Sequence, residues 1–300
     1  MGCQVQIPRF LKESRNPRLH PCLPAGRDYE AITQIAHTLK IKESIGIKPL
    51  AIPGHYHYNG RTGKDPVMRK EDKKMSVKTL KRLAMKAGVD LCGIAPVERF
   101  REAPEGFRPT DIYPSAKSVL VFAKRVPQAA LLSRSLVPYK FTCDVVLDEV
   151  FRITCDLSLQ LQDLGVAAVP IPSEPYEYWD VEKKEGRGIL SLKHAGHLAG
   201  LGIMGKNTLL TNNKLGNRIT LGALLLSVSL EGDPIAEYRI CKEDCNACIT
   251  SCPVKALDGK SVVQKLCREK SQLTTPKGYS LYVCNTCRTV CRAAQGLKNK

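Results

Sequence analysis

Eight cysteines between positions 241 and 291 constrain this chain more than any other feature. Cys241, Cys245, Cys248 and Cys252 form C-KED-C-NA-C-ITS-C-P; a lone Cys267 follows, and then Cys284, Cys287 and Cys291 form C-NT-C-RTV-C. Short spacings let consecutive turns of backbone aim several sulfurs at one inorganic core, and a Cys before Pro in such a run serves the neighbouring core. A cubane iron–sulfur cluster takes four thiolates, so eight thiols match two [4Fe–4S] clusters. Two-cluster ferredoxin logic groups Cys241, Cys245 and Cys248 with the distant Cys291, and Cys252 with Cys267, Cys284 and Cys287. Zinc is the weaker alternative, because zinc sites pair C-x2-C knuckles across a loop. Disulfides would need an oxidising compartment, and no secretory signal pattern opens the sequence.

The other cysteines, Cys3, Cys22, Cys92, Cys143 and Cys155, are scattered, and the expectation for them is burial as small apolar groups. The apolar run from Leu221 to Leu230 is too short to cross a bilayer. Reduced thiols and no membrane span make the cytoplasm the expected location. The formal net charge is +17; two loaded clusters at roughly −2 each would leave about +13. Such a surplus attracts an anionic partner, and RNA, an acidic electron donor and a phosphorylated cofactor all qualify.

Three segments are expected. Residues 1–75 form a basic extension with a helix near 28–40 and a loop over 52–66 that carries His55 and His57. Residues 76–235 form an α/β (α+β) layer domain. Ser76 can cap a helix whose stripe is Leu80, Leu83, Ala84 and Ala87, with Gly88 ending it. Strands are expected over 89–96, 118–123, 168–171 and 218–230, and a long helix over 144–164, where Val146, Val150, Ile153, Leu157 and Leu161 recur at helical spacing. A short helix near Leu192 leads into Gly200, Gly202 and Gly205, which let backbone come close to something. Gly200-x4-Gly205-Lys206 approaches a phosphate-binding loop, but Asn207 stands where Ser or Thr would hold magnesium, and the helix precedes the glycines. His194 and His197 read as a helix-face pair rather than metal ligands. Residues 236–300 form the ferredoxin-like segment with the two clusters.

In order, several stretches resemble the epoxyqueuosine reductases and their relatives, the corrinoid reductive dehalogenases. They are Gly93-Ile94-Ala95-Pro96, the turn from Tyr113 to Val119, Lys193-His194-Ala195, the segment Ala199 to Asn207, Leu215-Gly216-Asn217-Arg218, and the eight cysteines. The resemblance runs from about Ser76 to Cys291. It implies clusters that deliver single electrons to a cobalamin held between the two domains, with Gly200, Gly202, Gly205, Lys206 and Asn207 against that cofactor. It also implies a proton donor, for which Asp144, five residues after Tyr139, matches the family's spacing; Asp148 competes, and Tyr139 is the second candidate. Pro138 stands where the family has arginine, and Val145-Val146 where it has Tyr-His. An Asp at a helix start is also an ordinary N-cap.

The expected function is an iron–sulfur oxidoreductase that takes electrons from a low-potential donor of ferredoxin or flavodoxin type, with tRNA as the substrate the resemblance implies. The alternative is an electron carrier without a substrate site. An enzyme needs a ligand-sized cavity beside a cluster, and a carrier needs an exposed cluster edge. An RNA-binding protein with structural clusters would need stacking platforms, and aromatic residues make up only 6% of the chain.

Overall fold

The computed structural model describes residues 75–297, Pro175 excepted, and the helix and loop expected before residue 75 lie outside that range. The described residues lie in one compact unit, Lys64–Lys300.

Helix α1 (Val77–Lys86) begins where Ser76 Oγ accepts from the Thr79 N–H at 3.1 Å, and the chain turns at Gly88 with φ +93°. It leads into β1 (Leu91–Pro96), which pairs with β2 (Ser118–Arg125). The short helices α2 (Pro109–Ile112) and α3 (Gln128–Leu132) flank β2. The long helix α4 (Leu136–Asp163) then leads to β3 (Ala168–Ile171). After the hairpin β4 (Tyr178–Asp180) and β5 (Glu185–Arg187) come α5 (Leu192–Leu198), the two-residue strands β6 (Ile203–Met204) and β7 (Leu210–Thr211), and β8 (Ile219–Leu226). The main sheet runs β1-β2-β8-β3, and every pair in it is antiparallel. The mixed α/β architecture expected from the sequence is present, built on this antiparallel sheet.

Alternation along β2 and β8 divides the core. Leu120, Phe122, Leu224 and Leu226 face α1 and α4, against Leu80, Ala84, Val150, Ile153, Leu157 and Leu161. Val119, Val121, Ala123, Ala223 and Leu225 face the other way, against Leu192 and Ala195 of α5 and Ala199 just after it. A sheet covered on both faces needs apolar residues at consecutive positions, which is why β2 and β8 read as continuous hydrophobic runs. Gly222 leaves room for the Phe122 ring, since a Cβ there would lie 2.5 Å from Phe122 Cζ. Phe122→Ala is expected to cost about 3–5 kcal/mol, measured as a loss of unfolding free energy in urea.

Helix α4 starts eight residues before the expected position at Asp144. Ser135 is the cap, with its Oγ accepting from Val137 N–H at 3.2 Å. Pro138 occupies the first turn, where a missing N–H costs nothing. Asp144 is therefore inside the helix and does not cap it.

The C-terminal elements are α6 (Ala247–Thr250), α7 (Gln264–Ser271), the hairpin β9 (Gln272–Thr274) and β10 (Ser280–Tyr282), and α8 (Thr286–Thr289). Val283, just past the hairpin, packs with Val126, Leu131, Tyr139 and Val146, so the cysteine segment is seated on the first half of α4. Of the non-cluster thiols, Cys3 and Cys22 lie outside the described residues, and the other three depart from the expected burial: Cys92 and Cys143 are partly exposed and Cys155 is exposed. Cys155 is in α4, whose core stripe is Ile153, Thr154 and Leu157.

Candidate metal centre

Two short helices and the residues flanking them carry six of the eight thiols, and their local sequences are copies of one pattern: Cys245-Asn246-Ala247-Cys248-Ile249-Thr250-Ser251-Cys252 and Cys284-Asn285-Thr286-Cys287-Arg288-Thr289-Val290-Cys291. Asn246 and Asn285 share backbone angles near φ −125°, ψ +10°. In each copy the Asn carbonyl accepts from the N–H three residues on at 3.0 Å and from the Thr hydroxyl four residues on at 3.1 Å. This internal repeat was in the sequence, and its signal was the shared Asn and Thr between the cysteines.

The eight thiols fall into two groups. Around the first, burial raises the Cys248 thiol pKa, and Cys241, Cys291 and Cys245 raise it further, because neighbouring thiolates disfavour ionisation. Around the second, burial followed by Cys284 and Cys267 pushes Cys287 up to about 11, with the smallest push from Cys248 of the first group, and burial with Cys284 and Cys252 raises Cys267. Cys252, Cys267, Cys284 and Cys287 line one cavity of about 160 Å³, together with Asn207, Pro253 and Leu257. Among the described residues no group of three or more His, Cys, Asp and Glu side chains is placed to hold a single metal ion, whereas a four-iron core needs its sulfurs spread around a void. Each helix thus gives two sulfurs to its own group and its last sulfur to the other. The donor set fits iron–sulfur cores: thiols that oppose one another's ionisation can all ionise when a cationic core compensates them.

Two backbone donors and one hydroxyl lie against these sulfurs. The Lys206 N–H donates to Cys241 Sγ at 3.4 Å and the Ala256 N–H to Cys252 Sγ at 3.3 Å, while Thr286 Oγ1 lies 3.7 Å from Cys284 Sγ.

The residues expected against a corrinoid are engaged with the chain itself. Asn207 is 3% exposed; its Nδ2 donates to the Cys287 carbonyl and its Oδ1 accepts from the Leu209 N–H. Lys206 Nζ donates to the Glu243 carbonyl at 2.8 Å. A Cβ on Gly200 would lie 2.2 Å from the Pro234 oxygen, one on Gly202 2.5 Å from the Thr211 oxygen, and one on Gly205 2.7 Å from Asn207 Oδ1. The close approach these glycines permit is to the protein's own chain, and Lys206 and Asn207 tie α5 and its following loop to the cysteine loops. The contacts seen for these five residues are all within the chain.

The two candidate proton donors point apart, because five residues turn a helix by roughly 140° beyond a full circle. Tyr139 is 5% exposed, and its pKa is raised by burial, held back by Arg288 and raised further by the adjacent Cys143, so the phenol stays protonated. Asp144 is at the partly exposed side, with Lys140 Nζ 2.5 Å from Oδ2. His194 Nδ1 lies 2.7 Å from Ser191 Oγ, and His197 Nδ1 donates to the Gly202 carbonyl at 2.9 Å, both local structural bonds. Burial, then Lys193 and His197, hold His194 below the usual 6.5. The unfolded chain then takes a proton that the folded one refuses as pH falls through about 6.5, so stability drops there and levels off below the depressed value. His194→Gln is expected to flatten that part of the curve, measured by urea unfolding across pH.

An antiparallel α+β layer joined to two linked cysteine groups defines a class of redox-type scaffold. Two kinds of comparison place it further. The chain is 36% identical over 137 residues to an epoxyqueuosine reductase of Staphylococcus aureus, matching 40% of this chain and 34% of that protein. It is 25% identical over 244 residues to one of Bacillus cereus, matching 70% and 62%. Among solved structures, epoxyqueuosine reductase from Streptococcus thermophilus aligns with a TM-score of 0.53 at 18% identity, over 75% of this chain and 68% of that one. A catabolic reductive dehalogenase aligns with a TM-score of 0.52 at 14% identity, over 73% of this chain and 33% of that one. No family model matches. The chain spans about a third of the length of the first curated relatives. It is a divergent relative of the epoxyqueuosine reductases, which are reductase enzymes, and it shares their fold.

Proposed function

We propose that this chain is an iron–sulfur reductase of the epoxyqueuosine reductase type. Residues 76–235 form the scaffold and residues 236–300 the ferredoxin-like segment that carries two [4Fe–4S] clusters. The observation that carries this reading is the sorting of eight thiols into two groups of four, one of them around a cavity of about 160 Å³. When loaded, the clusters supply two single electrons, the number that removal of an epoxide oxygen as water consumes along with two protons. Cys241, Cys245, Cys248 and Cys291 hold one cluster, and Cys252, Cys267, Cys284 and Cys287 the other. Asp144, kept on the partly exposed side of α4 by Lys140, is the proposed proton donor; Tyr139 is too deeply buried to reach a substrate and positions Cys143 and the wall near Cys287. The corrinoid that the resemblance implies gains no support from residues 200–207.

The proposed substrate is a tRNA. One structural neighbour, an epoxyqueuosine reductase aligning with a TM-score of 0.50, is bound to an epoxyqueuosine-modified tRNA stem loop. The net charge of +17 suits a polyanion. A low-potential donor of ferredoxin or flavodoxin type would supply the electrons. No helix among the described residues is long and apolar enough to cross a membrane, and a cytoplasmic location is part of the proposal. The test is full-length protein reconstituted anaerobically, reduced, and given an epoxyqueuosine-bearing stem loop, with loss of one oxygen from the nucleoside read by mass spectrometry. An unchanged nucleoside beside fully reduced clusters would reject the enzyme. The carrier is then the second reading, favoured by the exposed Cys267, which would put one edge of the second cluster at the surface.

A further inference from the structure

Asn217 is the most deeply buried polar side chain near the cysteines that no part of the fold uses. It is 1% exposed, and neither Oδ1 nor Nδ2 has a hydrogen-bond partner in the chain. Leaving a buried amide group unpaired costs about 1–3 kcal/mol, so a native position of this kind calls for a partner supplied from elsewhere. The surroundings hold the residue in place. Arg288 Nη1 donates to the Asn217 carbonyl at 2.6 Å, and the next residue, Arg218, donates from Nε to the Ala294 carbonyl at 3.1 Å and from Nη1 to the Val126 carbonyl at 2.9 Å. On the other side Gly216 lies against Ala294, so the turn is locked to the segment that starts at Cys291. The Ala294 N–H in turn donates to the Cys291 carbonyl at 3.0 Å, so the turn that carries Asn217 is pinned through Ala294 to the Cys291 turn.

We propose that Asn217 is the donor for the first cluster: its Nδ2–H bonds the Cys291 sulfur when that sulfur is on iron, and this raises the reduction potential of that cluster alone. The oxygen and nitrogen of an amide exchange by a half-turn, so Nδ2 can take the edge facing sulfur. Reduction adds negative charge to the core, and a hydrogen bond to a ligand sulfur stabilises that charge, one of the ways proteins set cluster potentials. Asn217 is a positioning residue here; it does not ligate iron. The inference rests on the two-cluster reading of the proposed function.

The experiment is a redox titration of reconstituted full-length protein, followed by electron paramagnetic resonance. Two couples in the wild-type protein establish the clusters; their absence would fail the two-cluster reading and, with it, this inference. Asn217→Leu, of similar volume and without a donor, is expected to move one couple to more negative potential and leave the other in place. Asn217→Asp, which adds a charge and removes the donor, is expected to move the same couple further. Two unmoved couples, or two that move together, would overturn the role of Asn217. Should either variant lose iron, wild-type protein with 15N-labelled asparagine decides: the reduced first cluster should show a coupled asparagine nitrogen and an exchangeable proton in pulsed resonance spectra. Their absence would overturn the proposal.

Discussion

Replacing Cys248 and Cys252 with alanine together is expected to strip both clusters, whereas replacing Cys252 and Cys284 should remove one. Cys248 and Cys252 lie in the same short helix and its exit turn, four residues apart. Cys252 and Cys284 are 32 residues apart in sequence and line the same cavity. Proximity along the chain would predict the opposite result. Because Cys248 is grouped with Cys241, Cys245 and Cys291, the first double variant takes a ligand from each group. The measurement is iron and acid-labile sulfide per chain after anaerobic reconstitution: close to none for the first variant, about four irons for the second. Equal losses in the two proteins would show that the groups do not cross.

The second large effect is expected at a glycine distant from any ligand in sequence. Gly216 has φ +66°, and a Cβ there would lie 2.1 Å from the Ala294 oxygen and 2.4 Å from the Ala293 oxygen. Both obstacles are backbone, so no side chain can swing aside. The left-handed angle alone costs a non-glycine residue about 1 kcal/mol, and relief of the contact requires the turn after Cys291 to move. That turn is otherwise held by the Ala294 N–H to the Cys291 carbonyl and by Arg218 on Ala294. Gly216→Val should displace Cys291 and with it the first cluster, leaving about four irons per chain. The sheet should stay folded, because Gly216 precedes β8 and lies outside its ladder. A variant that kept all its iron would mean that the first group does not depend on Cys291.

The fourth position of a C-x3-C-x2-C run can come from anywhere in the chain, and this is where reading the sequence reaches its limit. Short-range facts were legible. Ser76 capping α1, the continuous apolar runs of β2 and β8, the end of the long helix near residue 164 and the eight thiols all follow from local spacing and residue chemistry, which act within a few residues of one another. Where local signals conflict, the reading fails. The expected helix over 144–164 missed the start at Leu136, although a proline in a first turn fits a helix. The glycines at 200, 202 and 205 signal close approach but not to what; the neighbours turned out to be Pro234, Thr211 and Asn207.

The sequence by itself determined the donor atoms, their number, the capped helix, the buried strands and a positive surplus of charge, because each is a property of residue type and short spacing. Only the tertiary structure decided which sulfurs share a group, that Asn217 lies buried with an unpaired amide, that Tyr139 is closed off from solvent while Asp144 is not, and that Cys155 faces outward. Those outcomes depend on segments distant in sequence packing side by side. The energy of such contacts belongs to the pair, and neither segment carries it in its own sequence.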